Sequence, residues 1–65
     1  MPLPTVTAVY ECEGENWLVH LEEDRTFHSF GRTLDEARSA AFEIAELYAD
    51  EVLGGAPIQL IHKDA

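Results

Sequence analysis

Two of the three histidines, the one cysteine and a scatter of carboxylates are the residues of this chain whose placement could do chemistry. His20 and His28 flank the polar stretch Glu23-Asp24-Arg25. If those three residues form the turn of a hairpin, the histidines sit directly opposite each other on adjacent strands. Cross-strand neighbours are close enough to share a metal ion, with Glu22 or Cys12 as a further ligand. No third ligand stands at a recognised spacing, so both histidines read as surface residues and no metal site is assigned. Cys12 is the only cysteine. A thiol nucleophile needs a base and a group that orients it, and the local sequence marks neither. Its alternation with apolar residues places it instead among the small core residues. The acids show no glycosidase-like pair or metal cluster, and no glycine-rich phosphate loop exists. The chain is expected to be non-enzymatic and to use no cofactor.

The elements that must position these residues are legible from periodicity. Met1 to Pro4 holds two prolines and reads as a lead-in. Thr5 to Glu13 alternates, with Val6, Ala8, Tyr10 and Cys12 on one face and Thr5, Thr7, Val9 and Glu11 on the other. Period-two alternation rich in β-branched and aromatic residues is the pattern of a half-buried strand. Gly14-Glu15-Asn16 supplies a turn. Trp17 to Glu22 alternates again, with Trp17, Val19 and Leu21 inward, and Thr26 to Phe30 makes a third strand. Thr33 followed by Glu36, ahead of an apolar-periodic run, is a capping box, and Gly31 allows a sharp exit from the strand before it. Leu34, Ala37, Ala41, Ile44 and Tyr48, flanked by Ala40 and Leu47, form the apolar stripe of a helix that Gly54-Gly55 stops. Pro57 then opens a fourth strand, Ile58 to His62. The reading is a single α+β domain over residues 1–65, in the order β-β-β-α-β, with one helix packed on one face of an antiparallel sheet.

Size and charge bound the function. A chain of 65 residues buries only roughly 60% of its unfolded surface, and small domains of this kind are commonly stapled by disulfides, metals or association. One cysteine excludes an internal disulfide, which points to a homo-oligomer, a dimer being the simplest. Thirteen acids against four bases give a net charge of −9. Nucleic-acid binders neutralise phosphates with Lys and Arg, so direct nucleic-acid binding is not expected. Such a charge either keeps a small protein soluble or steers it toward a basic partner. No leader pattern and no apolar run of about 18 residues is present, so the expectation is a cytoplasmic, soluble chain with a reduced thiol and no membrane association. On the helix, Phe42, Ala45, Ala49 and Leu53 form a second, narrower apolar line. Asp50 and Glu51 stand in the last turn, where the macrodipole disfavours acids.

The hairpin entry Gly14-Glu15-Asn16-Trp17-Leu18-Val19-His20, the junction Gly31-Arg32-Thr33-Leu34-Asp35-Glu36-Ala37 and the helix from Arg38 to Tyr48 resemble the HicB antitoxin family. The resemblance spans most of residues 5 to 61. It implies a partial ribonuclease-H-like fold lacking the catalytic carboxylates. It also implies that the domain binds and neutralises a small basic mRNA-cleaving toxin of the HicA type. Family members that repress their own operon carry a further DNA-binding module; none is expected after Ile61 here, so DNA binding is not carried over. The partner-binding residues expected on this reading are Phe42, Glu43, Glu46, Ala49, Asp50 and Leu53 on the helix. Glu22, Glu23 and Asp24 would join them from the hairpin tip. Carboxylates would pair with basic toxin side chains, and Phe42 and Leu53 would be the desolvated anchors. The alternatives are a homo-oligomeric structural or regulatory protein without a toxin, and a metal- or ligand-binding module built on His20 and His28.

Overall fold

A computed structural model describes residues 3–64; Met1 and Pro2 of the expected lead-in lie outside them. The elements are β1 (Thr5–Glu13), β2 (Asn16–Leu21), β3 (His28–Gly31), α1 (Leu34–Val52) and β4 (Gln59–Asp64). This is the β-β-β-α-β order, an α+β fold with a single helix on one face of a four-stranded sheet. The strand order is β3-β2-β1-β4.

The sheet is mixed, which corrects the wholly antiparallel expectation. β1–β2 and β2–β3 pair antiparallel, whereas β4 joins β1 in parallel, Thr5 opposite Gln59 through Tyr10 opposite Asp64. The reason is directional. β1 and β3 point the same way, and the helix carries the chain back to the end where both begin. A fourth strand starting from that end runs parallel to whichever margin it joins.

Burial follows the alternation, with instructive exceptions. Val6, Ala8 and Tyr10 of β1 and Val19 and Leu21 of β2 are buried beneath the helix, while Trp17 is half-buried. Cys12, expected in the core, is exposed. It lies on the helix-bearing side, but α1 packs over β2 and β3 and touches β1 far less, so that end of β1 stays uncovered. Val9, on the opposite side, is buried because β1 is an inner strand and His20 and Lys63 flank it in register.

The helix seats itself on its smallest residues. Ala37, Ala41, Ala45 and Ala49 are its buried positions; Leu34, Ile44 and Tyr48 are half-buried and Leu47 is exposed. The stripe read from sequence therefore centres one alanine row away from the true contact. An alanine brings the helix axis closest to the sheet, and larger side chains pack along the flanks.

The β2–β3 register is the one a three-residue turn implies, with His20 opposite His28. The third strand begins at His28, two residues later than expected. Asp24 explains the shortening: its carboxylate accepts the Thr26 N–H at 3.0 Å and the Thr26 hydroxyl at 2.6 Å, and its carbonyl accepts the Phe27 N–H. A local side-chain turn competes here with the ladder.

At the strand-to-helix junction the Thr33 hydroxyl accepts the Glu36 N–H at 3.1 Å. The Glu36 carboxylate accepts the N–H groups of Thr33 and Arg32, at 3.2 and 2.8 Å. Gly31 is required by proximity rather than by a special dihedral: a Cβ there would lie 2.6 Å from the Ala37 nitrogen and 2.7 Å from the Glu36 Cβ. Gly31→Ala should therefore destabilise the fold by about 1–3 kcal/mol through overpacking, and Thr33→Ala by about 1 kcal/mol through the lost cap. Denaturant melts of the two variants check this. A Gly31→Ala protein as stable as the parent would refute the close-approach account.

Candidate partner-binding groove

Because α1 packs mainly on β2 and β3, the space between its other flank and the segment leading into β4 is open. Phe42, Ala45 and Ala49 form one wall, and Ala56, Pro57, Ile58 and Leu60 form the other wall and floor of a groove of about 980 Å³. Glu43, Glu46 and Asp50 line its helix side and are exposed. The helix offers no base in its last turn to offset them. At the glycine stop the Ala49 carbonyl accepts the N–H groups of both Leu53 and Gly55. The result is an apolar trough with an acidic rim.

Five of the expected partner residues, Phe42, Glu43, Glu46, Ala49 and Asp50, thus come together on one surface. Their roles are unequal. Phe42 is 57% exposed, while Ala49 is only 7% exposed, so Ala49 shapes the wall and offers little contact area. Leu53 caps the helix half-buried and is not among the residues that line the groove.

The hairpin-tip acids do not join the site. Glu22 makes an exposed ion pair with Lys63 at 3.6 Å, and Glu23 accepts the Thr7 N–H at 2.9 Å. Asp24 holds the turn around Thr26, and those hydrogen bonds draw its carboxyl below the usual carboxylate range. Each acid is committed to local structure. Spacing along the chain could not reveal this, because the three pair with residues from different elements or turn back on their own loop.

A cluster missed by sequence reading sits at the far end of the groove wall. The Tyr10 hydroxyl lies 2.6 Å from His62 Nδ1, their rings stack at 5.6 Å, and Phe42 meets His62 edge-on at 5.7 Å. The signal was available only after β4 was placed beside β1, since Tyr10 and His62 are 52 residues apart. His20 and His28 do face each other in register. Among the described residues, however, no group of three or more His, Cys, Asp and Glu side chains comes together to hold a metal ion. No helix of the described chain is long and apolar enough to cross a membrane. No protein-family model, curated protein or solved structure matches the chain.

Burial pushes the Tyr10 phenol above the ordinary tyrosine value of 10.0, an effect partly offset by the nearby Arg38 charge. A pKa raised on folding means that the folded state favours the neutral phenol. The corresponding stability is complete below the unfolded pKa and is lost as pH rises through the folded one. Stability should therefore fall on the alkaline side of about pH 10, and Tyr10→Phe should flatten that fall. Chemical denaturation across alkaline pH measures it; identical profiles for parent and variant would exclude Tyr10 as the titrating group.

Proposed function

We propose that this chain is a non-enzymatic binding protein of the HicB antitoxin type. In this reading its acidic-rimmed groove captures and neutralises a small basic mRNA-cleaving toxin. The observation that carries the proposal is the convergence of Phe42 with Glu43, Glu46 and Asp50 along one apolar trough. An exposed aromatic beside desolvatable apolar walls is the composition of an interface anchor. Carboxylates along the rim suit Lys and Arg side chains that would otherwise contact RNA. The net charge of −9 adds long-range attraction toward a basic protein and speeds encounter. The resemblance of the Gly31–Ala37 junction to the antitoxin family supports the same assignment.

The division of labour is specific. The acids act before contact, by raising the rate at which a basic partner arrives. Phe42 acts after contact, by slowing departure once its ring is desolvated. Neither role needs a proton transfer or a bound metal ion, and the partner would be neutralised by occlusion of its RNA-binding surface.

The test is to combine the chain with a small basic mRNA-cleaving protein encoded beside it and to follow RNA cleavage and binding kinetics. Cleavage should be inhibited stoichiometrically, and raising salt should slow association markedly. Phe42→Ala should speed dissociation by about tenfold or more. Failure to inhibit, or inhibition indifferent to both salt and Phe42→Ala, would sink the proposal.

A further inference from the structure

β4 forms one margin of the sheet, and five of its six residues are exposed. The Gln59 N–H donates to the Pro4 carbonyl at 2.8 Å. Backbone groups alternate in direction along a strand, so Gln59, Ile61 and Lys63 address β1, while Leu60, His62 and Asp64 present their N–H and C=O groups outward. Such a row is a template for another strand. The opposite margin, β3, is only four residues long, and shortness is itself a guard against pairing. β4 lacks that guard. Its lysine, the usual charge that protects an edge, is turned across the open sheet face to Glu22, at 3.6 Å.

We propose that a second copy of this chain pairs with β4, antiparallel and across a two-fold axis, joining two sheets into one. Opposed side chains must lie on the same face of the sheet, which restricts the register. Centring the axis on Ile61 sets Ile61 against Ile61 of the second copy on the open face. On the helix-bearing face Leu60 meets His62 of the second copy, and each such pair exchanges two backbone hydrogen bonds through the outward-facing groups. Gln59 then faces the second copy's Lys63. A shift to Leu60 would oppose Ile61 to the Gln59 amide, a shift to His62 would oppose it to a lysine, and a shift to Lys63 would set two lysines together. The Ile61 register alone matches apolar with apolar and amide with ammonium, and for that reason the occupant assigned is a copy of the chain itself.

The charge of −9 on each copy does not oppose this geometry. Each α1 lies mainly over β2 and β3, so at ordinary strand spacing the two helix axes stand about 30 Å apart, with the acidic rims on their facing flanks somewhat closer. Screening extends only about 8–10 Å at moderate salt. Association would also extend a sheet whose largest fully buried side chains are only Leu21, Val6 and Val19.

Sedimentation equilibrium and cysteine cross-linking of the purified chain test the proposal without any other protein. The parent should show a concentration-dependent dimer. His62→Pro removes an outward N–H that β1 does not use, and it should weaken dimerisation by about a hundredfold or more with helix content unchanged by circular dichroism. In a Cys12→Ser background, Ile61→Cys should form a disulfide-linked dimer under mild oxidation, because its counterpart lies directly opposite. Gln59→Cys in the same background should not, because its counterpart is Lys63. A monomer at all concentrations with no Ile61→Cys cross-link would overturn the proposal, as would equally fast cross-linking at position 59. The cross-linking arm decides the matter even if His62→Pro fails to fold.

Discussion

Gly31 ends a strand with the backbone of Ala37 and the side chain of Glu36 pressed against its Cα, leaving no space for a methyl group. That close approach sets the height and the lateral position of α1, and most other features depend on it. Held there by the reciprocal bonds of Thr33 and Glu36, the helix can lie flat only on small residues. The row Ala37, Ala41, Ala45 and Ala49 supplies them. The helix is thereby fixed mainly above β2 and β3, and the β4 margin of the same face is left largely without cover. The groove is a consequence of this offset rather than a separately constructed pocket.

The offset also explains why apolar residues at the same helical periodicity have different fates. Ala45 and Ala49 are buried against the sheet, while Phe42, a short way round the helix, is exposed over His62. On the other flank Tyr48 meets Phe27 edge-on, with ring centroids 5.3 Å apart. Large side chains thus brace the helix on the β3 side and stand open on the β4 side. The asymmetry gives the domain a packed flank and an open flank, and the acids of the helix border the open flank.

Local signals in the sequence were read correctly where local chemistry decides the outcome. The bounds of β1, the register of the second hairpin, the capping box and the glycine stop follow from alternation, turn residues and caps, each settled within a few positions. What escaped was settled across the chain. The parallel pairing of β4, the exposure of Cys12, the burial of Val9 and the Tyr10–His62 contact all depend on which strands become neighbours and how far the helix reaches. The helical face was misplaced by one alanine row for a related reason. Hydrophobic periodicity weights large side chains, whereas the closest helix–sheet contact selects small ones. The hairpin-tip carboxylates were equally illegible as structural groups, since Glu22 and Glu23 find their partners on β4 and β1.

The parallel union of β1 and β4 has a further consequence for how the chain reaches its native state. The meander and the capped helix are built from near neighbours and can form early, whereas Tyr10 and His62, 52 residues apart, meet only after almost the whole chain has been threaded between them. Contacts of such long sequence separation repay their loop-closure entropy late. β4 is therefore expected to dock late in folding and to fray early in local unfolding. Its docking completes the floor of the groove and presents the free edge at the same moment. Both surfaces therefore require β4 to be in place beside β1.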